Sequence, residues 1–171
     1  MRNIIMETLA RAEYTGPALR NAKQLGIRQY VDVVSKLAPF KAPDTEGMHR
    51  SHVILTKHGR VSQMEITAFA KELPCFCNML GVSYYMPFVE FCGLFSALAR
   101  IFKEGSTVIL DRPDHTKVEE MEKMLEENGF LIYEYIMADE IQARFLDRYS
   151  RGETKFSPIE NINFFMAVKK G

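Results

Sequence analysis

The sequence predicts an α/β fold: one sheet in a three-layer arrangement, crossed by helices. Three observations predict it. Cys75–Leu80 and Thr107–Leu110 are near-continuous apolar runs, as expected of strands covered on both faces. Amphipathic stretches separate the strand candidates, so the order from residue 74 onward reads β-α-β-α-β-α-β. Polar and aromatic residues follow the two buried strands directly, where parallel sheets place their ligand crevices.

The elements follow in chain order. Leu9, Ala12, Leu19, Ala22 and Leu25 recur at helical spacing. Gly16-Pro17 interrupts that pattern, which predicts two short helices with a break between them. Ile27 to Val34 is rich in β-branched and aromatic residues and suits a strand. Ala38 to Arg50, with two prolines, Asp44 and Gly47, reads as a long loop. Val53–Thr56 is a short strand candidate. Ser62 to Leu73 opens on a Ser-x-x-Glu pattern (Ser62, Glu65) and reads as a capped helix ended by Pro74. Phe88, Phe91, Cys92, Phe95, Leu98, Ala99 and Phe102 form one apolar stripe of a helix. His115–Asn128 is a charged helix with Gly129 at its end. Phe130–Ile136 is a strand, Ala138–Tyr149 a helix, and Asn163–Val168 the last strand.

Composition bounds the function. With 171 residues, 47% of them apolar and 26% charged, the chain has the makeup of one globular domain, its shorter front part at 1–73 and its α/β half at 74–171. Zero formal net charge gives no footprint for nucleic acid or an anionic membrane and favours self-association as a homo-oligomer. No apolar run approaches the roughly 18 residues of a membrane span, and the N-terminus lacks a leader pattern. Three cysteines, two of them in a buried strand, read as reduced thiols of a cytoplasmic protein. His49, His52 and His58 with Asp44 match no firm ligand spacing, so no metal is expected. Cys75 and Cys77 share one strand face and read as core.

Several positions carry two readings. Arg11 either binds a carboxylate or is a solvated helix arginine. Tyr84 and Tyr85, past a strand end, either line a pocket or pack as aromatics. Asp111, followed by Arg112, Asp114 and His115, either holds a substrate or forms an ordinary turn. No phosphate loop and no Ser-His-Asp order occurs.

The segment Leu80-Gly-Val-Ser-Tyr-Tyr-Met-Pro87, then Phe91, then Lys103-Glu-Gly-Ser-Thr-Val-Ile-Leu-Asp111, resembles the C-terminal half of the leucine carboxyl methyltransferase-like family. These are class I S-adenosylmethionine-dependent O-methyltransferases. Met124–Phe130 and Asn161–Lys169 resemble that family's later strands. Leu9–Tyr14 with Gly26-Ile-Arg-Gln-Tyr30 resembles its entry segment. The resemblance implies an abbreviated Rossmann-like sheet with the last strand antiparallel, S-adenosylmethionine as cofactor, and a small-molecule or carboxylate acceptor. It implies Arg11 for the cofactor carboxylate, Gly81 and Ser83 beside the methyl, Tyr85 as the catalytic residue orienting the substrate, and Tyr84, Asp111 and His115 as substrate contacts.

The departures are specific. The family's glycine-rich turn after the first strand is Val31–Phe40 here, without a glycine. The acids that grip ribose and adenine have no counterpart, and the family's Glu-Gly pair is Leu80-Gly81. An internal deletion with partial refilling accounts for these together. The missing glycine turn also supports a second reading, a non-catalytic interaction or dimerisation module that keeps the fold.

Overall fold

The structure is a computed structural model that describes residues 4–34, 43–58, 61–113, 116–149, 159 and 162–171. Helix α1 (Ile4–Gln24) leads into β1 (Gln29–Val34), followed by β2 (His49–His58), β3 (Val61–Thr67) and β4 (Phe76–Met79). A 3₁₀ turn (Val82–Tyr85), α2 (Phe88–Ile101), β5 (Thr107–Pro113), α3 (Val118–Glu127), β6 (Phe130–Ile136), α4 (Ala138–Ile141) and β7 (Ile162–Lys169) complete the order.

The seven strands form one sheet in the order β3-β2-β1-β4-β5-β7-β6. β1 pairs in parallel with both β2 and β4, and β4 with β5. β7 is antiparallel to both of its neighbours, as the sequence reading anticipated. Chain order reverses direction between β1 and β4, which makes that gap the topological switch point of the sheet.

Strand alternation sorts the core onto two faces. Phe76 and Ile109 face α1 and α4, where Met6, Ala10, Tyr14, Leu19, Ile141, Phe145 and Leu146 pack. Cys77, Met79, Val108 and Leu110 face α2 and α3, where Phe91, Phe95, Leu98, Met121 and Leu125 pack. The result is the predicted three-layer arrangement. The apolar stripe of α2 buries as the spacing required, and α3 ends at Asn128, whose side chain donates to the Met124 carbonyl at 2.8 Å.

Four expectations are corrected. The break at Gly16-Pro17 does not occur: α1 is one 21-residue helix with Pro17 inside it. A proline in a helix interior costs about 3 kcal/mol. Buried side chains on both sides, Tyr14 and Thr15 before it and Leu19 and Ala22 after it, hold the helix together across that gap.

The helix expected over Ser62–Leu73 is instead β3, antiparallel to β2. Val53 and Leu55 of β2 stand opposite Ile66 and Met64, a two-residue alternation that places four apolar side chains on the α2 face. The hairpin satisfies the backbone and buries that face, which a short helix with one capping pattern does not. β2 is also longer than the Val53–Thr56 candidate. The helical stretch 138–149 changes pitch, passing through a π segment at Gln142–Leu146 and a 3₁₀ turn at Asp147–Tyr149. Most of the long loop expected at Ala38–Arg50 falls outside the described residues.

Two predictions follow from the packing. Pro17→Ala restores a backbone donor inside α1 and should raise the melting temperature by at least 2 °C or so, since about 1 kcal/mol corresponds to roughly 2–4 °C at this size; a lowered melting point would mean the proline is preferred there. Burial pushes the Cys75 thiol up to about 12 and raises Cys77 as well. Unfolded thiols ionise near pH ~8.5 while the folded ones keep their protons, so stability is unaffected below that pH and falls as pH rises above it. Melting curves between pH 8 and 10 should decline, and Cys75→Ala should flatten the slope.

Candidate functional site

The β4–β5 pair builds the site. Met79 stands opposite Leu110, so the chain beyond each strand emerges side by side at the C-terminal edge of the sheet. After β4 the backbone turns through Gly81 at φ +84°, a left-handed conformation that strains any residue with a Cβ. That turn aims the Gly81 N–H at Asp111, with 2.9 Å to each carboxylate oxygen. Ser83, one step into the 3₁₀ turn, donates to the Asp111 carbonyl at 2.8 Å and to its carboxylate at 3.3 Å.

α1 supplies the counter-charge. Arg11 Nε donates to Asp111 Oδ2 at 2.7 Å, with the arginine side chain 7% exposed and the aspartate side chain 0%. The Tyr84 ring lies over the guanidinium, its centroid 5.2 Å from Cζ, and the Tyr84 hydroxyl donates to the Arg112 carbonyl at 3.2 Å. Burial alone would lower the Arg11 pKa, but the adjacent Asp111 carboxylate outweighs it and holds the guanidinium firmly protonated. Burial pushes the Asp111 carboxyl up from the ordinary range, against the pull of Arg11, the Gly81 N–H and the Ser83 hydroxyl. Arg11 Nη2 is buried and has no hydrogen-bond partner among the described residues. Such an orphaned donor calls for an acceptor beyond those the described residues supply.

The structure therefore brings together five of the residues singled out in the sequence: Arg11, Gly81, Ser83, Tyr84 and Asp111. The side chain of Tyr85 and the whole of His115 lie outside the described residues.

A second polar group escaped the sequence reading. Asp32 of β1 faces His52 of β2 in parallel register, and His52 Nδ1 hydrogen-bonds Asp32 Oδ1. Asn78 of β4 stands on the other side of Asp32 and donates to the Tyr30 hydroxyl at 3.1 Å, while its carbonyl accepts from the Leu80 N–H at 3.1 Å. This row crosses the switch point. The signals for it in the sequence are His52, weighed above only with the other histidines, and Asp32, a carboxylate between valines in a strand.

No family model matches the chain. The Bacillus subtilis (strain 168) protein YktD, provisionally named an S-adenosyl-L-methionine-dependent methyltransferase, is 27% identical over 222 aligned positions, which cover 95% of this chain and 72% of YktD. Because 222 positions exceed the 171 residues of this chain, YktD carries residues inside the matched span that this chain lacks. Among solved structures, a DUF574 family protein of Streptomyces avermitilis superposes with a TM-score of 0.60 at 13% identity, covering 94% of this chain and 82% of its own. The magnesium protoporphyrin IX methyltransferase of Synechocystis PCC 6803, solved with bound S-adenosylmethionine, gives 0.56 at 15% identity, covering 98% and 82%. The chain has the Rossmann-like fold of class I S-adenosylmethionine-dependent methyltransferases; none of these relatives singles out the leucine carboxyl methyltransferase-like group.

Gly81→Ala isolates the turn. A Cβ there would sit 3.8 Å from Arg11, an ordinary contact, so the cost is conformational. Urea unfolding should show a loss of about 1–2 kcal/mol with an unchanged m-value; no loss would mean the turn relaxes to another conformation.

Proposed function

We propose that this chain binds S-adenosylmethionine at the switch-point end of the sheet and transfers its methyl group to an oxygen of a small-molecule acceptor, a carboxylate or a hydroxyl. The orphaned Arg11 Nη2 is the observation that carries this reading. A planar guanidinium with one N–H committed to Asp111 and another buried without an acceptor among the described residues is suited to a ligand carboxylate, and the cofactor's amino-acid end has one. The described residues fit that end of the molecule. The oxygen acceptor rests on the resemblance of Leu80–Pro87 and Lys103–Asp111 to O-methyltransferases.

When bound, S-adenosylmethionine supplies a methyl on sulfonium: the S–CH₃ bond breaks as the acceptor oxygen forms its O–CH₃ bond. The protein's work is positional. Arg11 holds the carboxylate. The Gly81 turn brings backbone close to the ligand without a side chain in the way. Ser83 keeps that turn against β5 through Asp111. Tyr85 orients the acceptor in this reading, with Tyr84 and His115 lining its approach.

A second reading, a non-catalytic interaction module, is favoured by one sequence fact. No glycine occurs between Gly26 and Gly47, the stretch that holds β1 and its exit. Calorimetric titration with S-adenosylhomocysteine separates the two. Micromolar binding is expected for the methyltransferase; absence of heat, together with an unshifted melting curve, favours the module. Arg11→Ala should weaken binding roughly 10- to 100-fold, the range for a hydrogen bond to a charged group. Unchanged affinity in a folded Arg11→Ala variant would remove Arg11 from the site.

A further inference from the structure

We propose that Asp111 is a positioning residue rather than a substrate contact: it fixes the Arg11 guanidinium so that Nη2 is presented to the carboxylate of the cofactor. The inference rests on the reading above and extends it to a residue that the sequence assigned elsewhere.

The geometry is specific. A guanidinium is planar, so holding Nε and one face of the plane fixes where both terminal nitrogens point. Asp111 holds Nε at 2.7 Å, and the Tyr84 ring centroid lies 5.2 Å from Cζ. The carboxylate doing the holding cannot itself turn. Both of its oxygens accept from the Gly81 N–H, one accepts from Ser83, and its backbone is a rung of β5 paired with Phe164 of β7. With no exposed side-chain surface, Asp111 offers nothing directly to a substrate. Nη2 is left buried and without a partner among the described residues. A ligand carboxylate reaches it by displacing the cover, and half-buried Tyr84, on a single 3₁₀ turn, is the movable part of that cover. A donor held ready in this way spares the ligand the ordering of a long side chain.

Two ligands test it. S-adenosylhomocysteine carries the amino-acid end; 5′-methylthioadenosine has the same nucleoside and lacks it. Wild type should bind the first more tightly. Asp111→Asn should lose at least tenfold in affinity for S-adenosylhomocysteine while binding methylthioadenosine within about twofold of wild type. Equal losses for both ligands, or no loss for either, would overturn the positioning role. If wild type binds neither ligand, the cofactor reading falls and takes this one with it; if it binds both equally, the chain still binds the nucleoside, but Arg11's hold on the carboxylate falls and this proposal with it. A measurement on the wild-type chain covers the case in which Asp111→Asn does not fold. The Arg11 Nε–H should give a slowly exchanging NMR resonance that persists when S-adenosylhomocysteine binds. Its loss on binding would mean that Asp111 releases the arginine, contrary to the proposal.

Discussion

The buried pair between Arg11 and Asp111 is the contact on which the rest of the arrangement depends. It joins three pieces of chain that are far apart in sequence: α1, the turn after β4, and β5. A buried pair of this kind is weak evidence of net stability, because desolvating two charges costs about as much as their attraction returns. Its effect is on uniqueness. Removing one partner strands a charge in the core at a cost of about 3–5 kcal/mol. So α1 is held to one rotation and one height against the sheet, the one that brings Arg11 to Asp111. Tyr14, one turn further along, locks the same choice from the other direction by donating to Glu134 of β6 at 3.1 Å and stacking on Phe164.

The apolar faces prepare that contact. Phe76 and Ile109 occupy the α1 face of β4 and β5, so the first polar residue beyond them on β5's α1 face, Asp111, emerges at the strand's outer end. Two strands paired in parallel bring their C-terminal ends out together, and that places the Gly81 turn within hydrogen-bond distance of Asp111. The site is thus a consequence of strand pairing and of a two-residue alternation, with Gly81 supplying the one backbone conformation that alternation cannot.

The back half of the fold was legible in the sequence because its signals are local. A continuous apolar run such as Cys75–Leu80 and a stripe such as Phe91, Phe95 and Leu98 each specify an element without reference to the rest of the chain. The front half was not, because tertiary contacts decide it. Pro17 should break a helix, and does not, since burial on either side outweighs one missing donor. Met64 and Ile66 satisfy a strand pattern and Ser62 with Glu65 a helix pattern; only the partner strand β2 decides between them. The same holds for the site. Arg11, Gly81, Ser83 and Asp111 were each picked out singly, but nothing in their spacing says that Arg11 and Asp111, a hundred residues apart, are paired. His52 was weighed only with His49 and His58, and its pairing with Asp32 was missed, because a pair formed across β1 and β2 depends on a register that the sequence does not print.

The two sides of the switch point are built by different means, and the difference bears on what the crevice can select. On the β4–β5 side one buried charged donor, Arg11, is held by a carboxylate that Gly81 and Ser83 fix in turn. On the β1–β2 side the chain departs from a doubly wound pattern. Only two residues separate β2 from β3, so the pair is a hairpin, where a parallel pairing would require a crossover of a dozen residues or more. There Asp32 pairs with half-exposed His52, while Asn78 is bonded to Tyr30 and Leu80. Preorganised charge in a dry setting discriminates far more strongly than hydrogen bonds that water can replace. Under the proposed reading, recognition is therefore weighted toward the amino-acid end of the cofactor. On that reading the part of the ligand that carries charge meets the part of the fold where a charged donor is held in place.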